Sequence, residues 1–513
     1  MKLADTFDDL AESASEPAAR ILDLIAFGGL LLMTAAAPHS IAVTQIGWLV
    51  GMMAWLVRLF ILPRREVHIY SIGIGLATFI VWSAVSSAFS YDPAVSLDKL
   101  RAVSTVLIFI FVLNVLRNRR AIHLVAFLLI GSCMVSVAWT PIQKLMGRSV
   151  EFSQLSPASP LAIAGARDGD VIVRANGMRV SNPEDVIAQF RSSHRITLQM
   201  NRLDGVFWVE LDRDSLLEGE TAAARLGFGD WKPWRGFRAS GFYGHFTTYA
   251  EVLQLIGALA FGLLVASLMY GGRLRVLIAL GLCVAGIGFA LLLTVTRASQ
   301  LAFMLSSLAV VLLSASRKFI LISIAIAVPL SGLGLYVLQQ QRQVGFFDNK
   351  DGSIQYRQMM LRDGARLLSE KPRHMIVGVG MDSIKTNWQD WGLFDKGWQP
   401  MGHFHSTPVQ LAVERGIPAL LIWLIVLALC GRTLWRGFRI AAGSSDWRSR
   451  GILLGCIGSL VGFFVSGLVH YNLGDQEVAM VFFILMALGA KLAEMPKPDE
   501  ILITDSPLLQ PSP

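Results

Sequence analysis

The stretch FTTYAEVLQLIGALAFGLLVASLM, residues 246–269, decides the class of fold. Beyond its first turn it is almost entirely apolar, and its one charged residue is Glu251. A helix of about 20 apolar residues crosses the roughly 30 Å hydrocarbon core of a bilayer. The stretch therefore predicts a transmembrane helix, and a charge inside such a helix marks Glu251 as a functional candidate.

Similar apolar runs recur along the 513 residues, of which 54% are hydrophobic and only 16% charged. Mean hydropathy is +0.54, whereas soluble domains carry about 25% charged residues. These values exclude a soluble enzyme and predict an all-α polytopic membrane protein with about twelve transmembrane helices. The candidate spans are 21–37, 40–62, 69–89, 101–116, 121–141, 246–269, 274–294, 298–315, 319–338, 413–431, 451–471 and 475–493.

Charge between the spans predicts the orientation. Every second connection is short and rich in arginine, which places those connections in the cytoplasm. Both termini are then cytoplasmic, and the long connections face the other side. The net charge of +8 follows from this rule, so membrane lipids rather than nucleic acid are the expected partners.

The predicted domains follow from these spans. They are a cytoplasmic tail 1–20, helices one to five in 21–141, an inserted domain 150–212, helices six to nine in 240–338, a large outer loop 339–412, helices ten to twelve in 413–493, and a disordered cytoplasmic tail 494–513.

The inserted domain has a different pattern. Residues 171–173 alternate as in a strand, Asn176 and Gly177 form a hairpin signal, PEDVIAQF reads as a helix, and 195–211 reads as two strands around an Asp-Gly turn. With Ala-Gly-Ala at 164–166 before Gly-Asp-Val-Ile at 169–172, the region resembles a small α/β PDZ domain of the bacterial protease type. That resemblance implies capture of a peptide from a protein partner, and a structural or regulatory insert is the alternative.

The outer loop ends in two histidines within HFHSTPVQLAVERGIPALLIWL, residues 403–424. Imidazole suits proton transfer near neutral pH. Together with SEKPRHMIVGVGMDSI (369–384), LLLTVTRASQLAFML (291–305) and GFYGHFTTYAEVLQL (241–255), this stretch resembles the O-antigen ligase and polymerase superfamily. The match covers about 240–490, with Ser406 where the family usually has Asn.

The resemblance implies a GT-C-like, metal-independent glycosyltransferase without a cofactor. It would move a glycan from an undecaprenyl-pyrophosphate donor to an acceptor hydroxyl, with lipid A-core as the ligase acceptor. It also implies a bacterial inner membrane and an active site facing the periplasm.

Candidate residues follow from that chemistry. His405 and then His403 are predicted to take the proton of the acceptor hydroxyl. Arginine offers a planar fork to phosphate oxygens, and the predicted pyrophosphate ligands are Arg297, Arg357, Arg362, Arg235 and Arg238. The predicted supporting acids are Glu251, Glu414, Asp475 and Glu477. His-x-His offers only two metal ligands, so no metal is expected.

Several functions fit the sequence. Within the superfamily they are a ligase, a polymerase that joins repeat units, and an oligosaccharyltransferase that modifies protein hydroxyls. Outside it they are a polysaccharide transporter, for which no internal repeat is visible, and a non-catalytic scaffold that recruits partners through the insert.

Overall fold

The computed structural model describes residues 17–61, 67–202, 205–314, 352–397, 402–441 and 446–495. They form two compact units. The membrane unit comprises Met1–Val137 and Ser240–Pro513, and the insert unit comprises Ala138–Ala239.

The first part of the membrane unit is helical. Its elements are α1 (Pro17–Ala36), α2 (Ile41–Ile61), α3 (Tyr70–Ala88), α4 (Pro93–Val103), a 3-10 turn (Ser104–Val106), α5 (Leu107–Val115) and α6 (Arg119–Met146), whose last residues belong to the insert unit.

The insert unit is a six-stranded antiparallel sheet with three short helices. Its elements are β1 (Arg148–Leu155), α7 (Pro160–Ile163), β2 (Val171–Ala175), β3 (Met178–Arg179), α8 (Pro183–Gln189), β4 (Arg195–Arg202), β5 (Gly205–Asp212), a 3-10 turn (Arg213–Ser215), α9 (Ala222–Leu226) and β6 (Phe228–Trp234).

The order of strands is β5-β4-β2-β1-β6, with β3 paired to β2. The predicted strands, the hairpin at Asn176 and Gly177, and the helix α8 are confirmed. The sheet extends beyond the predicted 150–212 because β6 pairs with β1, in a register that sets Arg148 opposite Trp234. A core of its own, built around Phe152, Leu198 and Phe228, holds this unit together.

The second part of the membrane unit is again helical. Its elements are α10 (Phe246–Met269), α11 (Leu274–Leu293), α12 (Arg297–Ser314), α13 (Gly352–Glu370), α14 (Pro372–Ile376), α15 (Ser383–Asn387), α16 (Phe394–Gly397), α17 (Thr407–Ile440), α18 (Trp447–Gly467) and α19 (Gln476–Glu494).

Ten helices within the described residues are long and apolar enough to cross a membrane, which supports a multi-pass membrane protein. They are α1, α2, α3, α6, α10, α11, α12, α17, α18 and α19. The predicted span 319–338 lies outside the described residues. Two helices begin before the predicted spans: α1 begins at Pro17, ahead of span 21–37, and α17 begins at Thr407, ahead of span 413–431.

The predicted span 101–116 is not one helix. Asp92 caps α4 by accepting a hydrogen bond from the Val95 N–H, so that helix begins well before the apolar run. The chain then tightens into the 3-10 turn before α5. The apolar residues are therefore divided between two short helices, and neither has the length of a span.

The centre of the membrane unit is formed by α10, α18 and α19. In each of these helices 78% of the apolar stretch is buried inside the protein, whereas in α11 only 22% is buried. Glycine allows α10 and α18 to pack backbone to backbone, because a Cβ on Gly262 would lie 2.3 Å from the Gly455 nitrogen. This tight contact holds α10, whose N-terminal end carries Glu251, against α18.

Helix α17 begins at Thr407, just after the two histidines, and bends at Gly416. Gly416 has φ 80° and ψ 167°, outside the helical region. At the bend the helix meets the turn between α14 and α15, where the Val379 and Gly380 N–H groups donate to the carbonyls of Val413 and Glu414, both at 2.9 Å. The turn at residues 378–380, hereafter the glycine turn, is therefore hydrogen-bonded through its backbone to the bend of α17.

Candidate functional site

Four segments of the membrane unit meet around the predicted histidines. The start of α17 follows His403 and His405, α13 supplies Tyr356, and the connection between α18 and α19 supplies His470. The fourth segment is the start of α10, which carries Glu251. These segments are far apart in the chain, and only their packing brings the polar side chains together.

The imidazole rings form a cluster, hereafter the histidine cluster, of His403, His405 and His470. The ring centroids of His403 and His405 are 5.0 Å apart, and those of His405 and His470 are 6.0 Å apart. Tyr356 packs edge-on against His405 at 5.8 Å, and Tyr471 lies 6.2 Å from His403. His470 and Tyr471 complete a site of which the sequence motif holds only one side.

Backbone and side-chain hydrogen bonds lock α17 to the segment after α18. The Thr407 N–H donates to the His470 carbonyl at 3.0 Å, and the Thr407 hydroxyl donates to Asn472 Oδ1 at 2.8 Å. Asn472 is 1% exposed and donates to the Phe463 carbonyl at 2.8 Å. Because Thr407 begins α17 directly after His405 and Ser406, this contact fixes the distance between His405 and His470.

His470 is hydrogen-bonded to Glu251. His470 Nδ1 lies 3.2 Å from Glu251 Oε1, and the side chains are 12% and 2% exposed. Glu251 thus has a specific partner, although 219 positions separate the two residues in the chain.

Asp475 interacts with two other acids, Glu251 and Glu477. It follows the connection and precedes α19, and its Oδ2 accepts a hydrogen bond from the Thr248 hydroxyl at 2.5 Å. Burial, opposed by this bond and reinforced by Glu477 and Glu251, raises the pKa of Asp475 to about 8. Of the predicted supporting acids, Glu251 is thus hydrogen-bonded to a histidine of the cluster, whereas Asp475 is bonded to Thr248.

His405 is kept uncharged by its surroundings. Burial, followed by the charges of His403, His470, Arg357 and His245, lowers the pKa of His405 to about 3. Since Arg357 acts on His405, the structure brings this predicted arginine to the histidine cluster. An imidazole with so low a pKa is a hydrogen-bonding group and a weak base at neutral pH.

Glu414 has a structural partner. It is 2% exposed, and its Oε1 accepts a hydrogen bond of 2.8 Å from the Asp382 N–H. Asp382, in turn, pairs with Lys99 and Lys385, each at 3.1 Å. Glu414 therefore holds the glycine turn against α17, and its place in the motif reflects this packing.

The remaining predicted arginines lie in different surroundings. Arg362 is exposed and pairs with Asp363 at 3.0 Å and Asp395 at 2.9 Å, on a different face of α13 from Arg357. Arg297 is half-buried in the first turn of α12. Arg235 is exposed and Arg238 half-buried, and both belong to the insert unit. Of the five arginines, Arg357 is thus the one with an interaction with His405.

Within the described ranges, no group of three or more His, Cys, Asp or Glu side chains is arranged to hold a metal ion. The contacts of the histidine cluster include ring contacts and the hydrogen bond to Glu251.

Comparison with known families gives one match. Residues 282–424 match the family model described as O-antigen ligase. The matched segment includes Arg297, Arg357 and both histidines of the motif, and it ends before His470. No curated protein matches the chain.

The match and the ten apolar helices support a membrane glycosyltransferase of the O-antigen ligase or polymerase type. Such a protein implies lipid-linked glycan and acceptor substrates within a membrane. The PDZ-like resemblance of the insert unit stays a prediction.

Proposed function

We propose that this chain transfers a glycan from an undecaprenyl-pyrophosphate donor to an acceptor hydroxyl, with lipid A-core as the acceptor. The observation that carries the proposal is the histidine cluster, which the membrane unit assembles beside Arg357 within and next to the segment that matches O-antigen ligase. An imidazole and a cation are what the two halves of the reaction require.

The reaction needs a proton acceptor and a partner for the leaving group. The acceptor hydroxyl loses its proton to an imidazole as its oxygen attacks the sugar, and the pyrophosphate leaves as an anion. Arg357, with Arg297 and the arginines 235 and 238 as further candidates, stabilises that anion through charge-assisted hydrogen bonds. The ion pairs of Arg362 make it the weakest of the predicted ligands.

The proposal includes the orientation of the chain. The short basic connections place both termini in the cytoplasm of a bacterium, so that the protein lies in the inner membrane and the histidine cluster faces the periplasm. The donor, once its glycan is on the periplasmic leaflet, reaches the cluster without crossing the bilayer. The reaction needs no metal ion.

Transfer by the purified protein in nanodiscs tests the proposal. The protein is mixed with an undecaprenyl-pyrophosphate glycan, lipid A-core and EDTA, and the products are identified by mass spectrometry. We expect glycosylated lipid A-core and free undecaprenyl pyrophosphate. His405→Ala is expected to reduce the rate at least about 100-fold, since removal of a general acid–base or substrate-binding imidazole has effects of that order.

The matched control is His123→Gln. His123 is a buried histidine that bonds to the Ser449 hydroxyl at 3.1 Å, at the opposite end of α18 from His470. It should leave transfer unchanged. A product in which the glycan has lengthened by repeat units would replace the ligase by a polymerase. The absence of transfer to lipid A-core, glycan and protein acceptors alike would refute the glycosyltransferase.

A further inference from the structure

The hydrogen-bonded pair of His470 and Glu251 lies outside the sequence motif, yet it has the geometry of a base and the acid that orients it. Glu251 Oε1 accepts at 3.2 Å from His470 Nδ1, which fixes the imidazole with its other nitrogen, Nε2, pointing away from the acid. No side chain in the described ranges is hydrogen-bonded to Nε2. Nε2 is therefore the nitrogen available to a substrate.

The two members of the pair differ in exposure in the way this role requires. Glu251 is 2% exposed and sits in the second turn of α10, where it is shielded from water. His470 keeps 12% of its side chain exposed, so a ligand can reach it. A buried carboxylate beside an imidazole stabilises the cation that forms when the ring takes a proton.

His405 has the opposite environment. Burial and the charges of other histidines and of Arg357 lower its pKa to about 3, and no carboxylate in the described part of the chain counteracts them. Protonation of His405 would add a positive charge to a cluster that already contains a cation. His405 is therefore suited to orient the acceptor hydroxyl as a neutral hydrogen-bonding group.

We propose that His470, oriented by Glu251, is the general base that deprotonates the acceptor hydroxyl, and that His405 positions that hydroxyl. The inference rests on the proposed function, which it deepens by assigning the proton transfer to a residue outside the matched segment. His470 is the catalytic residue in this assignment, and Glu251 is a positioning residue.

The atoms balance as follows. The acceptor O–H bond breaks and its proton goes to His470 Nε2, while the oxygen forms a bond to the anomeric carbon of the donor. The bond between that carbon and the pyrophosphate oxygen breaks, and its electron pair leaves with the lipid pyrophosphate. The imidazolium later releases the proton to water on the outer side.

The segments that meet at the histidine cluster carry charged and titratable groups. They are Glu251 and His245 from α10 and its cap, His403 and His405 before α17, Arg357 from α13, and Tyr471, Asp475 and Glu477 from the segment that leads into α19.

Three variants and two readouts test the assignment on the full chain in nanodiscs. With the donor and lipid A-core, His470→Gln should lower kcat at least about 100-fold. Glu251→Gln should lower kcat about 10–100-fold with little change in KM, and Glu251→Asp should restore part of the loss.

The second readout needs no turnover. Diethylpyrocarbonate acylates accessible neutral imidazoles, and mass spectrometry gives the rate at each histidine. Labelling of His470 should slow several-fold in Glu251→Gln, because the ring loses both its orientation and the support of the carboxylate. Asp446→Asn is the matched control, since Asp446 pairs with His123 at 3.8 Å and lies at the other end of α18. It should change neither readout.

Three outcomes are distinguishable. If the wild type transfers glycan while His470→Gln and Glu251→Gln retain its kcat and KM, the assignment is wrong and the proposed function stands. If neither the wild type nor any variant transfers glycan, the proposed function fails. The labelling rates then still decide whether Glu251 orients His470. Equal labelling of His470 in wild type and Glu251→Gln overturns the inference in either case.

Discussion

A buried carboxylic acid that faces two other acids keeps its proton at a pH where an exposed one has lost it. Asp475 is in this position, between Glu251 and Glu477, and one of its oxygens, Oδ1, is buried without a hydrogen bond among the described residues. The acid therefore carries a free-energy cost as soon as it ionises.

This cost predicts a pH-dependent effect of Asp475→Asn. The pKa of Asp475 is about 8 in the folded protein, against about 3.8 for the unfolded chain, so the folded state holds the extra proton between these values. Wild-type stability should fall as the pH rises through this window. Asparagine stays neutral and still accepts the bond from Thr248, so the variant's advantage in Tm should grow by about 2–4 °C from pH 5 to pH 8.

Asp390→Asn is the control, because it removes an equal charge from an exposed position of the same unit. Thermal unfolding in detergent at four pH values measures both variants. A difference between wild type and Asp475→Asn that is the same at every pH would contradict the prediction.

At the residue scale, the sequence predicted the identity of the site residues more successfully than it predicted their contacts. His403 and His405 were predicted from a local motif, and the structure places them together. Glu251 was predicted because it is a charge in an apolar helix. Its pairing with His470 could not be predicted, since it depends on how α10 packs against α18, and that packing follows from small residues spread over two distant helices.

At the scale of elements, the bend of α17 depends on a residue without a side chain. Gly416 adopts a positive φ, and a Cβ there would lie 2.0 Å from the Ile376 carbonyl oxygen. A side chain would strain the backbone and push α17 away from the glycine turn.

We therefore expect Gly416→Ala to destabilise the membrane unit by at least about 2 kcal/mol and to lower the apparent Tm accordingly. Gly288→Ala is the matched control. It lies within the regular helix α11 with nothing within 4 Å of its Cβ position, so it should stabilise the protein slightly, by up to about 1 kcal/mol. Equal melting temperatures for Gly416→Ala and wild type would show that the contact is dispensable.

Elements with a strong pattern were predicted and elements with a weak one were missed. The long apolar runs of α10, α11 and α18 are confirmed as helices. Strand β6, Phe228–Trp234, was missed because its seven residues, FGDWKPW, include a glycine, a proline and two charges. Its pairing with β1, rather than its own composition, makes it a strand.

At the scale of the whole molecule, the first and last strands of the insert unit, β1 and β6, are neighbours in its sheet. Arg148 of β1 is paired with Trp234 of β6, and paired residues of antiparallel strands lie about 5 Å apart. A short linker can therefore join the chain before and after the sheet.

Replacement of residues 149–233 by Gly-Ser should leave the membrane unit folded. We expect a monodisperse peak in size-exclusion chromatography and a Tm within about 3 °C of wild type, because each unit has its own core. A deletion of equal length over residues 159–243 is the control. It leaves β1 without a partner and removes the buried Tyr243, whose hydroxyl donates to the Ala37 carbonyl in the membrane unit, so it should aggregate. Aggregation of both proteins would contradict the prediction.

The hydrogen bond between Thr407 and His470 has a consequence for the timing of biosynthesis. A ribosome makes the motif histidines first, and more than sixty further residues must leave the exit tunnel before His470 can hold them in place. A nascent protein that stalls in α18 already carries α10 and Arg357, but its motif histidines lack the contact with His470. The enzyme that we propose would thus acquire its activity only at the last step of its insertion into the bilayer.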